Sequence, residues 1–167
     1  SDRGGYWQPW EVQGSHWQCL SNQPFDHATT PWQLGECQHA WWPGGGVVIR
    51  LRDGWGSLES PKPDNPWRLS GIGRVSAVMA YYGTVYALVQ GPDHFTRLIR
   101  CDHQGNQVAT LAEAGKACTT TLPVRYSARV GLHLQEAVSA FVYPSYLSGP
   151  AALIIRIHGG PTSASYP

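Results

Sequence analysis

A mainly β fold is what this sequence predicts, and three observations predict it. Short runs rich in Val, Ile, Tyr and Trp recur along the chain, turn residues separate them at close intervals, and no window sustains a helical period. Composition agrees. Charged residues make up 14% of the chain, against the roughly 25% usual in soluble domains, while Gly (19), Pro (13) and Trp (8) are abundant. Many short strands joined by tight turns follow from such a balance.

Strand runs are expected at 6–12, 37–42, 47–52, 74–81, 84–90, 95–101 and 107–111. Between them stand Pro43-Gly44-Gly45-Gly46, Asp53-Gly54, Gly83, Gly91-Pro92-Asp93 and Asp102-His103-Gln104-Gly105-Asn106. Their Gly, Asn and Asp residues accept left-handed backbone, and their prolines preset φ, which is the turn chemistry a hairpin requires. The best helical window, 109–117, is interrupted by Gly115 and is too short to stand without tertiary support. An antiparallel meander is therefore expected.

The strands also repeat. Ala40-Trp41-Trp42, a Gly turn and Val47-Val48-Ile49 are echoed by Ala77-Val78-Met79-Ala80, Gly83 and Val85-Tyr86-Ala87-Leu88. A period of about 40 residues with four strands per unit is that of a β-propeller blade. The expected blades span 27–70 and 71–118, with 1–24 ending a preceding one. This is a partial propeller of about two blades plus part of a third, whereas a closed ring takes about four to eight. The sequence opens on Ser1-Asp2-Arg3-Gly4-Gly5 without an initiator Met or a signal-peptide core, so it reads as a segment of a longer chain.

After residue 118 the pattern changes. Residues 119–124 read as a linker, and 125–143 as two further strands around Gly131. Ala151-Ala152-Leu153-Ile154-Ile155-Arg156-Ile157 is a nearly unbroken apolar run, suited to a strand buried on both faces in the parallel sheet of an α/β protein. It ends at His158-Gly159-Gly160-Pro161.

The stretch Ile155-Arg156-Ile157-His158-Gly159-Gly160-Pro161-Thr162-Ser163 resembles the strand and loop that open the catalytic domain of the prolyl oligopeptidase family of serine peptidases, in its acylaminoacyl-peptidase-like and dipeptidyl-peptidase-like branches. Ser1 to Trp7 is similar to the strand that closes a blade in that family, and Pro31-Trp32 with Leu34-Gly35 to the start of the next. The resemblance implies the end of a β-propeller at 1–118, a linker at 119–124, and the truncated N-terminal strands of an α/β-hydrolase at 125–167. It implies hydrolysis of short peptide substrates by the parent enzyme, with the propeller as a cap.

In that fold one oxyanion donor comes from this early loop, and preorganised N–H groups there stabilise the charge that acyl transfer builds on the carbonyl oxygen. The resemblance places His158, Gly159 and Gly160 in the role, and paired glycines let the backbone approach a substrate closely. No G-x-S-x-G occurs in the sequence, and the Ser, Asp and His of the fold follow this loop in chain order. The catalytic triad is thus expected outside these residues, the chain alone is expected to be inactive, and Ser163 and Ser165 are read as non-catalytic.

Other partner classes find little support. Twelve basic against eleven acidic side chains give a net charge of +1, without the footprint of nucleic acid or of an anionic membrane, and no apolar run is long enough to span a bilayer. Cys19, Cys37, Cys101 and Cys118 form no C-x-x-C pair, which suits free thiols in a reducing cytoplasm, with a disulfide left open. His94, Cys101, Asp102 and His103 sit on a hairpin whose neighbours point to opposite faces, so no metal site is expected, and no cofactor is implied. His16, His27, His39 and His133 are assigned no role. A Trp-rich β-domain binding peptide or carbohydrate without catalysis is the alternative function, although tryptophans scattered over two blades suit packing between them. The run 151–158, lacking sheet neighbours, is expected to present an edge for self-association.

Overall fold

The computed structural model describes residues 3–29, 36–52, 54–62, 64–115, 124–129, 137–145 and 148–157. Among them the regular structure is entirely β, in line with the expected class, and it falls into three antiparallel sheets. A hairpin pairs β1 (Trp10–Gln13) with β2 (His16–Cys19). A seven-stranded sheet runs in chain order through β3 (His39–Trp42), β4 (Gly45–Arg52), β5 (Trp55–Glu59), β6 (Arg68–Tyr81), β7 (Thr84–Gly91), β8 (His94–Cys101) and β9 (Gln107–Glu113). A second hairpin pairs β10 (Val124–Arg129) with β11 (Ala137–Val142), where two strands were expected around Gly131.

The turns form where the sequence supplies backbone freedom. Pro43-Gly44 closes β3–β4 with Gly44 at φ 86°, and Tyr82-Gly83 closes β6–β7 with both residues at positive φ, 48° and 78°. Asp102 organises the longer β8–β9 loop: its Oδ1 accepts from the N–H groups of Gln104 and Asn106, each at 2.9 Å, as an Asx turn does.

The seven-stranded sheet has a fold line inside β6. The first part of that strand, as far as Gly73, pairs with β5, whereas the part after it pairs with β7. At the crossover Gly73 and Arg74 both face Gln90, a bulge that redirects the strand. Gly73 sits at φ 70°, and a Cβ there would collide with the carbonyl oxygen of Gln90; a Cβ on Gly56 would collide with that of Gly73. Two glycines therefore let one strand serve both β3–β5 and β7–β9. The second half of β6 also touches the start of the sheet: Cys37 and Ala77 form a parallel bridge, with the Val78 N–H donating to the Cys37 carbonyl at 2.7 Å.

The core lies between these sections. Val47, Ile49, Leu58, Val75, Val85, Val89 and Ile99 are essentially inaccessible, and each such side chain contributes roughly 1.5–3 kcal/mol by leaving water. Period-two alternation shows on β7, where Val85, Ala87 and Val89 point inward. On β4, by contrast, Val47, Val48 and Ile49 are all buried, so both faces of that strand are covered. Trp67 caps the core, and its indole N–H donates to the Asp102 carbonyl at 3.0 Å, tying the approach to β6 to the β8–β9 loop.

Several expectations need correction. The strand expected at 6–12 begins only at Trp10, because Trp7 gives its N–H to the Asp26 carboxylate and its carbonyl to the His27 N–H. The strand β5 lay outside the expected runs, as did β2 and the first half of β6. The strand expected at 107–111 is present as β9, which runs two residues further, to Glu113, and pairs with β8. The run 151–157 carries no ladder among the described residues: Leu153, Ile154, Ile155 and Ile157 are 74–90% exposed, since no described segment offers the neighbours that a buried parallel strand requires.

The fold line makes a prediction. Gly73→Ala should lose roughly 1–3 kcal/mol to backbone strain alone, with the Gln90 collision in addition. Gly14→Ala, at φ 60° with open space around it, should show only the backbone part, roughly 1–2 kcal/mol. Thermal unfolding followed by circular dichroism compares the two; equal losses would remove the argument for a tight crossover at Gly73.

Candidate functional site

Residues 20–27 join the β1–β2 hairpin to the large sheet, and polar groups do the joining. The Leu20 N–H donates to the Pro9 carbonyl at 2.9 Å, and Gln8 Nε2 donates to the Gln23 carbonyl at 2.7 Å. Asp26 faces both ways: its carboxylate accepts the Trp7 N–H at 2.8 Å, while its carbonyl accepts the Leu51 N–H of β4 at 2.7 Å.

His27 lies at the centre, 5% exposed. Its Nδ1 is 2.9 Å from the Ile49 carbonyl and its Nε2 is 2.7 Å from Ser21 Oγ. A carbonyl can only accept, so Nδ1 carries the hydrogen, and Nε2 accepts from the Ser21 hydroxyl. Burial holds the His27 pKa below its ordinary value of 6.5, outweighing the opposing pull of the Ile49 hydrogen bond and the Glu59 charge. A serine hydroxyl on a neutral imidazole is the local arrangement of a nucleophile and its base. Here a carbonyl stands where a carboxylate would stabilise an imidazolium, and desolvation disfavours that cation. The pair is a buried polar clasp between hairpin and sheet.

Around the clasp, Arg50 pairs with Glu59 at 3.2 Å and lays its guanidinium 4.1 Å from the centre of the Phe25 ring, which in turn stands 5.2 Å from the His27 ring. A cavity of about 460 Å³ opens beside them, bounded by Tyr6, Gln23, Asp26, Arg50 and Arg52. A second of about 380 Å³ shares Tyr6, Gln23 and Pro24 with it and extends to Arg3, Trp10 and Cys19. No sequence signal exposed this junction, because His27 and Ile49 are far apart in the chain and the partner atom is a backbone carbonyl.

The residues singled out for chemistry fare as follows. His158, Gly159 and Gly160 lie outside the described residues, as do Ser163, Ser165, His133 and Cys118. The approach to that loop, 151–157, is described and exposed. Cys101 is fully buried and the Asp102 carboxylate is taken up by Gln104 and Asn106, so the hairpin does not gather a ligand set, and no group of three potential metal ligands occurs among the described residues. Burial, with Asp102 adding to it, pushes the Cys101 thiol up to about 11, leaving it a packing residue. Cys19, Cys37 and Cys101 are free thiols. Trp67 belongs to the core, Trp42 packs against it, and Trp10 and Trp17 sit under Arg3. They form no single stacking face.

The clasp has a consequence for pH. Because its folded pKa is depressed, neutral His27 stabilises the fold fully above about pH 6.5, and that contribution falls as pH drops below this value, where the unfolded chain binds the proton more readily. In denaturant unfolding between about pH 7 and 5, His27→Gln should flatten the slope relative to the unaltered chain. Parallel slopes would mean that the imidazole is not kept neutral by burial.

No protein-family model matches the chain, and no curated protein matches it. Among solved structures, a Mycobacterium tuberculosis puromycin-hydrolyzing peptidase is similar with a TM-score of 0.67 and 22% sequence identity. The likeness covers 86% of this chain and 23% of that one, so these residues span less than a quarter of the peptidase. At that identity the likeness is one of fold: the strand arrangement described above is also a portion of a peptidase.

Proposed function

We propose that these residues are part of a serine peptidase resembling the prolyl oligopeptidase family, of the acylaminoacyl-peptidase-like kind, in which they supply the end of a propeller cap and the oxyanion-side loop of the hydrolase. The fold shared with a peptidase over 86% of the chain carries the reading. The division of the large sheet supports it: β3–β5 with the first half of β6 makes one four-stranded section, and the second half of β6 with β7–β9 makes another. The parallel bridge between Cys37 and Ala77 sets the leading strands of the two sections side by side, as in neighbouring blades.

In this reading Ile155-Arg156-Ile157 leads into the loop, and the amides of His158, Gly159 and Gly160 face the developing oxyanion. Acyl transfer then proceeds on a serine, with Asp and His partners, supplied by the remainder of the enzyme. The substrate is a short peptide, cleaved near its N-terminus.

The test is the coding sequence that surrounds these residues and its product. A G-x-S-x-G followed by Asp and His is expected, together with labelling by a fluorophosphonate and hydrolysis of acyl-aminoacyl anilides. The 167 residues alone should do neither. In the active product Gly159→Pro, which removes one amide donor, should lower kcat roughly 100- to 1000-fold with a smaller change in KM. A full product lacking the nucleophile motif and inert to the fluorophosphonate would overturn the proposal.

A further inference from the structure

The smaller cavity at the junction has a chemistry of its own. On the β1–β2 hairpin, Trp10 faces Cys19 and Val12 faces Trp17, so Trp10 and Trp17 are diagonal neighbours on one face. Arg3 lies across them, its guanidinium carbon 5.3 Å from the centre of the Trp17 ring and 6.0 Å from that of Trp10. A guanidinium held by its flat face keeps its N–H edge for a planar, bidentate acceptor. Arg3 makes no ion pair or hydrogen bond among the described residues. The same cavity is lined by Tyr6, Asn22 and Gln23 and by no carboxylate, while Glu11 belongs to the opposite face of β1.

We propose that this cavity binds a small carboxylate, the size of an amino acid or a dipeptide, with both carboxylate oxygens on Arg3. A volume of about 380 Å³ suits such a ligand, and the single positive charge of the lining sets its sign. Asn22 and Gln23 offer amides to the ligand's peptide groups, and Tyr6 closes the side shared with the larger cavity. The site stands on the hairpin face and the 19–24 loop, independently of the peptidase reading.

The experiment is a titration of the 167-residue chain, followed by tryptophan fluorescence and calorimetry, with N-acetyl-alanyl-alanine and with its C-terminal amide. The acid should bind saturably in the millimolar range or tighter, and more weakly as salt is raised. The amide should bind at least about ten-fold more weakly, since a charge-assisted pair is lost. Arg3→Gln should abolish the difference between acid and amide, and Trp17→Leu should weaken binding several-fold by releasing the guanidinium. Trp10→Phe, which keeps the ring and removes the N–H, should weaken it less. Circular dichroism of each variant checks that the sheet persists. Equal binding of acid and amide, binding indifferent to Arg3→Gln, or no saturable binding of the acid would each overturn the proposal.

Discussion

Everything in the large sheet depends on one backbone crossing, the contact of Gly56 with Gly73. A β-strand ordinarily keeps two partners along its whole length, one on each edge. The strand β6 instead exchanges its neighbours partway, and it can do so because neither glycine carries a Cβ at the point of closest approach. A side chain on Gly56 would push β5 from β6 and one on Gly73 would push β6 from β7, and Leu58 and Val75, both fully buried, would lose their cover. The bulge opposite Gln90 and the parallel bridge at Cys37 are the downstream geometry of that single permissive contact.

The attachment of the first hairpin rests on different physics. None of residues 3–25 belongs to the apolar core of the sheet; hydrogen bonds through Asp26 and His27 make the joint instead. Such a joint is specific in direction because each donor has one acceptor, and it is sensitive to protonation because its central group is a neutral imidazole in a dry setting. It also leaves room: the larger cavity lies between residues 6–26 and Arg50 to Arg52 of β4, where a packed interface would have filled the gap.

Much of the fold was legible because its turns are spelled in residues that do little else. Pro43-Gly44 and Tyr82-Gly83 stand where strands reverse, and the alternation of Val85, Ala87 and Val89 declares an inward face. What was not legible depended on partners distant in sequence. Gly56 and Ser57 have poor strand propensity and are strand residues only because the sheet needs small groups there. Gly71 and Gly73 lay outside the strand expected at 74–81, yet β6 runs through both. The clasp at His27 had no sequence signature, since its acceptor is a backbone oxygen that any residue would supply. The oxyanion-side loop at His158, Gly159 and Gly160 was the converse case, conspicuous as a motif and outside the described residues.

The apolar run 151–157 bears on how the chain survives its own synthesis. The seven-stranded sheet is made of contacts between consecutive strands, so it closes as the chain emerges, whereas Leu153 to Ile157 find no strand partner among the described residues. Left exposed, this run is the kind of segment that stacks into intermolecular sheets. Arg156 interrupts it with a charge, and Pro150 and Pro161 flank it with residues that cannot donate to a growing ladder. These three act as gatekeepers, and their placement protects an exposed apolar run from pairing between molecules.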